Sequence, residues 1–294
     1  MIDLHIHTLY SDGTDTVKDL LRKAESLNLE CISITDHDNC KAYKELANIN
    51  VKDYYSGKLI PGIEIKCSYH GRLIEVLGYN YDFDKLNMWI DEYYKDKQRK
   101  DLQIKYYNHL YDACIGKGLT MTPKENWIWH PENDWASVEI YKNIKSHEEN
   151  KAKLPEDLWE EFTTFTKKYC ADFTDTFYID KSKDYPTVTE AINAIKNAGG
   201  KVFVAHVFIY KWAEDKEDLI KDLHQNYDID GFECYHSNFS EEQIEYILDY
   251  CDKNSLLTSG GSDYHGLNKP GIELSTGKGN LNIDRKIIKN WENL

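Results

Sequence analysis

The chain has 294 residues, of which 41% are hydrophobic and 13% aromatic, and its formal net charge is −15. This composition excludes a disordered chain, and the negative charge disfavours long nucleic acid and anionic membranes as partners. Seven cysteines without a CxxC pair indicate reduced thiols, and no signal peptide or membrane span is apparent, so a cytoplasmic protein is expected.

Strands and helices alternate at both ends of the chain. Strands are predicted at 2–6, 31–36, 58–67, 72–80, 201–206, 230–236 and 256–263. Helices are predicted at 17–29, after the capping run Thr-Asp-Thr, at 187–200, and at 240–254, where Ser240 and Gln243 form a capping box. Residues 83–185 are mostly helical, charged and aromatic, and they contain five of the seven tryptophans.

Seven strands, most of them separated by helices, predict an α/β fold with a parallel sheet. The strands carry no obvious edge-strand chemistry, which favours a closed barrel over an open sheet. The predicted barrel domain comprises residues 1–82 and 186–294. Residues 83–185 then form an inserted, mainly helical subdomain that is expected to cap the substrate, although its aromatic residues could instead form a core of their own.

Polar residues gather at the carboxyl ends of these strands, where βα barrels carry out their chemistry. His5 and His7 end the first strand with i, i+2 spacing, so both point to the same face, and Asp263 and His265 repeat this spacing at the last strand. The other residues at or near strand ends are Asp36, His37, Glu64, Glu75, His206, Glu233 and His236. Imidazoles and carboxylates are ligands of Zn, Mn and Fe, so the set predicts a metal centre.

Each of these residues also has an ordinary structural explanation. A single histidine in a barrel is more often a hydrogen-bonded core residue than a ligand. Asp12 lies in a Ser-Asp-Gly sequence that is also a common turn, and Asp36 could cap the following helix. Asp3 shares the face of His5 and His7 and is expected to orient an imidazole. The joint placement at several strand ends therefore carries the prediction, rather than any one residue.

The stretches DLHIHTLYSDGT, ITDHDN, LIPGIEI, EVLGYN, VAH and GGSDYHGLNKPGIELSTG resemble the PHP (polymerase and histidinol phosphatase) family of metal-dependent phosphoesterases. The likeness covers both barrel portions and is greatest to the stand-alone branch that includes nucleotide phosphoesterases. The resemblance implies a distorted (β/α)7 barrel with an insertion. It also implies two or three divalent metal ions, which are Zn, Mn or Fe in the family.

The resemblance implies the following ligand sets. One metal would take His5, His7, Glu64 and Asp263, a second would share Glu64 and take His206, and a third would take Asp12, His37 and His265. Glu75 stands where the family usually has a histidine. It could serve as a ligand that favours Mn or Fe(II) over Zn, or it could leave the second site weak.

The predicted function is hydrolysis of a small phosphate ester, such as a nucleotide or sugar phosphate, by attack of metal-bound hydroxide on phosphorus. Glu64 would bridge two metals, and His265, His37 and His236 are candidates for protonating the leaving group. Arg99, Lys142 and Lys269 are candidate phosphate contacts, although Arg99 could equally lie on a solvated helix face.

Two departures from the family leave the substrate open. Val207 follows His206, where the family often has proline, and residues 136–143 replace a Gly-Arg-Pro-His-type sequence of the nucleotide phosphoesterases. The alternative functions are an exonuclease on short oligonucleotides, a histidinol phosphatase, and a catalytically weakened PHP module with a regulatory role. The sequence does not predict an oligomeric state.

Overall fold

The computed structural model describes residues 1–293, which form two compact units. The first, called here the sheet unit, comprises Met1–Glu92 and the chain from Tyr185 onward. The second, called here the helical unit, comprises Tyr93–Asp184. All the strands of the described residues lie in the sheet unit. None of the helices within residues 1–293 has the length and apolarity that a membrane crossing requires.

The elements alternate at both ends of the chain, as predicted. The strands are β1 (Ile2–Ile6), β2 (Cys31–Ile34), β3 (Lys58–Leu59), β4 (Gly62–Tyr69), β5 (Arg72–Tyr79), β6 (Lys201–Val204), β7 (Gly231–His236) and β8 (Leu257–Gly261). The helices are α1 (Val17–Ser26), α2 (Lys41–Leu46), α3 (Phe83–Tyr94), α4 (Arg99–Gly116), α5 (Ala136–Lys145), α6 (Glu156–Glu160), α7 (Phe162–Thr164), α8 (Val188–Asn197), α9 (Lys216–Asn226) and α10 (Glu241–Lys253). Helices α4–α7 belong to the helical unit.

The strands pair into two sheets, which confirms a mixed α/β fold. One sheet has the order β1-β2-β3 and is parallel, and the other has the order β4-β5-β6-β7-β8. In the second sheet β4–β5 and β5–β6 are antiparallel, whereas β6–β7 and β7–β8 are parallel. Isolated parallel bridges between Ile6 and Tyr264, and between His37 and Glu64, connect the two sheets.

The prediction of seven strands in a parallel sheet is wrong in the division of one strand and in the antiparallel pairing of β4–β5 and β5–β6. The predicted strand 58–67 is divided into β3 and β4 at Pro61, whose nitrogen carries no hydrogen to donate to a ladder. Strands β4 and β5 form an antiparallel hairpin because the chain reverses at His70 and Gly71. Both residues have positive φ angles, 46° and 77°, as a two-residue type I′ turn requires.

The helix starts that were predicted from capping residues are confirmed. The Thr16 side chain accepts a hydrogen bond from the Asp19 amide at the start of α1. Ser240 and Gln243 form the predicted capping box of α10. The apolar face of α1 packs against β1, β2 and α2, so the helix is held by the burial of this face.

Each unit has its own hydrophobic core. In the sheet unit, the Trp291 ring lies 5.2 Å from that of Tyr79 and 4.9 Å from that of Phe203, and all three side chains are buried. In the helical unit, Trp159 and Phe165 belong to a separate cluster. Several aromatic residues of the insertion are therefore core residues of the helical unit.

Tyr43 joins the end of β2 to the break between β3 and β4. Its buried hydroxyl lies 2.9 Å from the carbonyl oxygens of Ile34 and Ile60 and accepts hydrogen bonds from the amides of Ile34 and Gly62. Replacing it with phenylalanine leaves buried backbone groups without a partner.

We expect Tyr43→Phe to lower the free energy of unfolding by about 1–3 kcal/mol. Urea denaturation measures this loss. Tyr10→Phe, which removes an exposed hydroxyl bonded to Glu45, is the control, with an expected change within about 0.5 kcal/mol. Equal stabilities of the two variants would contradict the role of the Tyr43 hydroxyl.

Candidate metal centre

The carboxylate of Glu64, buried on β4, faces four imidazoles. Its Oε2 lies 3.2 Å from His5 Nε2, 3.3 Å from His7 Nε2 and 3.2 Å from His37 Nδ1. Its Oε1 lies 2.9 Å from His206 Nε2. The structure therefore brings together side chains from β1, the end of β2, β4 and the end of β6 around one carboxylate.

Two further carboxylates complete the arrangement. Asp263 Oδ1 lies 3.6 Å from His5 Nε2 and 3.4 Å from His7 Nε2. Asp12, whose side chain is 55% exposed, lies 3.2 Å from His265 Nε2 and 3.6 Å from His37 Nε2. Asp12 is thus the most accessible of these acids and stands on the solvent side of the cluster.

Three groups of side chains have the geometry to hold an ion, because their potential ligand atoms lie within 4.8 Å of one another. The groups are His7, Asp12, His37 and His265; His5, His7 and Glu64; and His37, Glu64 and Glu75. Glu75 Oε2 also lies 3.3 Å from His206 Nε2. All nine residues predicted as metal ligands therefore lie in one cluster.

The hydrogen bonds of three imidazoles leave a nitrogen lone pair directed into this cluster. His5 Nδ1–H donates to Glu233 over 2.8 Å, and His265 Nδ1–H donates to the Asp263 carbonyl oxygen over 2.8 Å. His7 Nδ1 lies 3.4 Å from Ser11 Oγ. The Nε2 atom of each ring is buried without a hydrogen-bond partner. Rings held in this way direct Nε2 at an ion once that nitrogen is deprotonated, so these residues fit a divalent ion.

Unusual backbone geometry positions two of the candidate ligands. His206 and Asp263 have left-handed φ angles of 30° and 59°. Gly261, two residues before Asp263, lies so close to β1 that a Cβ atom there would be 2.3 Å from the His5 backbone nitrogen. Strained conformations of this kind cluster at functional sites, where surrounding contacts maintain them.

The charged groups in the cluster shift one another's pKa values. Burial alone would raise the pKa of Glu64, but the imidazoles of His5 and His37 hold it well below its usual range. Burial disfavours protonation of His5, yet the carboxylates of Glu233 and Glu64 hold its pKa well above the ordinary value. The same opposition, dominated by Glu64 on the raising side, brings the pKa of His37 to about 9. Without metal, the imidazoles of His5 and His37 therefore keep their protons, and a metal ion that binds to these rings must displace those protons.

Buried carboxylates behind the cluster hold its backbone and rings in place. Glu233 accepts hydrogen bonds from the His5 ring and from the His206 amide. Asp36 accepts hydrogen bonds from the Thr8 amide and hydroxyl and from the Ser11 hydroxyl. The sequence located Glu233 at a strand end but gave it no role, and Asp36 supports the loop after β1 instead of capping a helix.

Asp3 does not orient an imidazole as expected. Its carboxylate accepts hydrogen bonds from the Ser262 amide and hydroxyl and from the amides of Ser275 and His5. Asp3 therefore connects β1 to the segment after β8 through the backbone. The alternation of side chains along a strand could not distinguish orienting an imidazole from accepting backbone hydrogen bonds, because both roles need a carboxylate on the inner face.

The predicted substrate contacts have different surroundings. His236 is buried, and its Nε2 lies 3.3 Å from Asp263 Oδ2 while its Nδ1 accepts a hydrogen bond from the Asn238 amide. Lys269 Nζ lies 2.5 Å from Asp263 Oδ2, with 40% of its side chain exposed. These two residues therefore both contact the cluster through Asp263.

The other two predicted phosphate contacts lie in the helical unit. The Arg99 guanidinium donates hydrogen bonds to the carbonyl oxygens of Glu132, Asn133 and Asp134 and lies 4.0 Å from the centre of the Trp135 ring. Lys142 forms an ion pair of 2.7 Å with Glu139. A role for either in substrate binding stays a prediction.

Metal-free protein is expected to lose stability as the pH rises from about 6.5 to about 9. The folded state raises the pKa of His37 from 6.5 to about 9, so the protonated ring stabilises the fold fully below pH 6.5 and loses this effect as the pH passes 9. Thermal unfolding of chelator-treated protein over this range measures the effect. The fall of the unfolding temperature with pH should be less steep in His37→Ala. An equally steep fall in this variant would contradict the stabilising role of the protonated His37 ring.

Replacing Glu233 with glutamine should weaken metal binding by about 10–100-fold, because the acceptor that orients His5 is weakened. Equilibrium dialysis against Mn²⁺ measures the affinity. Glu273→Gln serves as a control that should bind metal like the unmodified protein, because Glu273 is exposed and belongs to none of the candidate ligand groups. A Glu233→Gln variant with unchanged affinity would show that Glu233 has no positioning role.

Comparisons with known proteins agree with this geometry. The PHP domain family matches residues 3–180, more than half of the chain. The 5'-3' exoribonuclease Rnm of Escherichia coli is 34% identical over 270 residues, which cover 90% of this chain and 84% of the relative. The phosphoribosyl 1,2-cyclic phosphate 1,2-diphosphodiesterase of Eggerthella lenta is 22% identical over 268 residues, covering 90% and 94%.

A solved structure shares the fold. It comes from Bifidobacterium adolescentis and carries a provisional description as a metal-dependent phosphoesterase. Its TM-score is 0.63 at 22% identity, with 98% of this chain and 94% of that chain covered. The family match and the extended identity to the Escherichia coli relative together show that this chain belongs to the PHP family and is a hydrolase acting on phosphate ester bonds.

Proposed function

We propose that this protein hydrolyses a small phosphate ester, such as a nucleotide, at a centre of two or three divalent metal ions. One observation carries the proposal: the Nε2 atoms of His5, His7 and His265 are buried without hydrogen-bond partners and face carboxylates. Buried polar atoms normally have partners, and a cation would supply one for all three. When bound, such ions supply charge neutralisation for the phosphate and activation of water.

The proposed ligand sets combine residues of the three groups with Asp263 and His206, which lie against them. One ion would take His5, His7, Glu64 and Asp263. A second would share Glu64 and take His206 and Glu75, and a third would take Asp12, His37 and His265. Glu75 adds a hard oxygen donor, which favours Mn or Fe(II) over Zn at the second position.

The protein's own groups would bind substrate and move the proton. Lys269, held at Asp263 with 40% of its side chain exposed, can contact a phosphate oxygen. His37 has 21% of its side chain exposed, against 2% for His265, so we assign proton transfer to the leaving group to His37 in preference to His265 when the third position holds no ion. His236 would act through Asp263, and Glu64 would serve as a ligand shared by two ions.

We propose that the two sheets form the barrel that carries the metal centre and that the helical unit determines substrate specificity. We infer that the two sheets close into the distorted (β/α)7 barrel of the family, which the bridges Ile6–Tyr264 and His37–Glu64 support. The helical unit, with its own core, is the proposed source of substrate specificity because the chemistry of the centre is generic.

A second candidate function is an exoribonuclease on short oligonucleotides. The name of the Escherichia coli relative favours it. Charge limits the length of strand that would bind: the helical unit has 15 basic and 17 acidic residues, so most of the net charge of −15 belongs to the sheet unit. A short strand engages few phosphates and suffers less repulsion from this charge than a long one.

His7→Ala and Asp263→Ala are each expected to reduce the bound metal and to lower hydrolysis of p-nitrophenyl phosphate by about 100-fold or more, because each removes a ligand at the centre of the cluster. Elemental analysis and steady-state rates measure the two effects. His224→Ala is the matched control, since its ring contacts Tyr250 away from the cluster. Unchanged metal content in both variants would contradict the proposal.

The substrate class is tested with a panel. A nucleotide phosphatase should release inorganic phosphate from nucleoside monophosphates faster than mononucleotides from a 5'-phosphorylated RNA trinucleotide. The exoribonuclease predicts the opposite order, with products appearing from the 5' end. Chromatography of the products distinguishes the two.

A further inference from the structure

The ammonium group of Lys66 lies beside the carboxylate of Glu75 at the edge of the candidate metal cluster. Lys66 and Glu75 lie directly opposite each other in the antiparallel pair of β4 and β5. Lys66 Nζ is 3.2 Å from Glu75 Oε1, and the other carboxylate oxygen, Oε2, is 3.3 Å from His206 Nε2. Glu75 therefore meets a lysine on one side and the candidate metal cluster on the other.

The strand geometry keeps Lys66 at this place. Lys66 follows Glu64 by two residues on β4, so both side chains leave the same face of the strand. The Lys66 amide donates to Asp38 Oδ1 over 3.1 Å, and 29% of the Lys66 side chain is exposed. The ammonium group is thus held beside the cluster rather than extended into solvent.

A lysine and a divalent ion compete for the same oxygens. The group His37, Glu64 and Glu75 can hold an ion, and its Glu75 oxygens are those that Lys66 already neutralises. An ion at this position would lie near a fixed positive charge, and this repulsion is strong where burial limits screening. The Lys66–Glu75 pair is neutral as a unit, so a glutamate at position 75 adds little attraction for a cation while Lys66 is present.

We propose that Lys66 is an internal counter-ion of Glu75 that weakens metal binding at the second position, where Glu64 and Glu75 would be ligands, so that this position fills last. The inference rests on the metal centre proposed above. It makes Lys66 a positioning residue that sets how many ions the centre holds at a given free metal concentration.

Mn²⁺ titration of the chelator-treated full chain tests this inference. In Lys66→Met, which keeps the length of the side chain but removes its charge, the weakest Mn²⁺ position should tighten by about tenfold while the others stay unchanged. Lys66→Arg should bind like the unmodified protein because the charge remains. Lys58→Met is the matched control: Lys58 has similar exposure, 28%, and lies 3.7 Å from Glu292 in the same unit.

Two further measurements separate this role from a purely structural one. Without metal, Lys66→Met should unfold at a lower temperature, because Glu75 loses its counter-ion, and saturating Mn²⁺ should remove most of that loss. In a Glu75→Gln background only the direct repulsion between Lys66 and the ion remains, so Lys66→Met should tighten Mn²⁺ binding by less than it does when Glu75 is present. A stability loss that Mn²⁺ does not restore would indicate a structural role and would overturn the inference.

The outcomes also distinguish this inference from the proposed function. If the unmodified protein binds no Mn²⁺ and His7→Ala changes nothing, the metal centre itself is wrong. If the unmodified protein binds Mn²⁺ through His7 but Lys66→Met binds it equally or more weakly, the counter-ion role alone is wrong.

Discussion

The buried carboxylate of Glu64, faced by the imidazoles of His5, His7, His37 and His206, is the constraint around which the sheet unit is arranged. An isolated buried carboxylate is unfavourable, and so are buried ring nitrogens without partners. The cluster reduces both costs only while the ends of β1, β2, β4 and β6 meet at one point. Two features allow the strand ends to meet there. Gly261 lies close to the backbone of His5, and His206 and Asp263 have left-handed backbone conformations.

A second layer of buried acids is hydrogen-bonded to the rings and backbone that carry the cluster. Glu233 connects β7 to the His5 ring and to the His206 amide, while Asp3 connects β1 to the segment after β8. The oxygens of these carboxylates accept hydrogen bonds from backbone and ring N–H groups, so they are unavailable to bind a metal ion. By holding Nδ1–H of His5, Glu233 also decides which nitrogen faces the cluster.

We propose that chemistry and specificity are divided between the two units. Relatives of this chain differ in their named activities, which favours a centre that does not by itself select a substrate. The helical unit has its own core, and its Arg99–Trp135 stack belongs to that unit. Within the cluster, Lys66 lies against Glu75, and its proposed counter-ion role would bear on metal number rather than on the reaction.

The sequence alone determined the α/β class, the helix starts at Thr16 and Ser240, and the ligand candidates, because strand periodicity, capping chemistry and HxH-type spacing are local signals. Tertiary structure decided the β4–β5 hairpin, the break at Pro61 and the support roles of Glu233, Asp36 and Asp3. It also decided that Lys66 stands opposite Glu75. The physical reason is that a side chain's partner across a sheet depends on strand register and direction, which arise from packing of the whole chain.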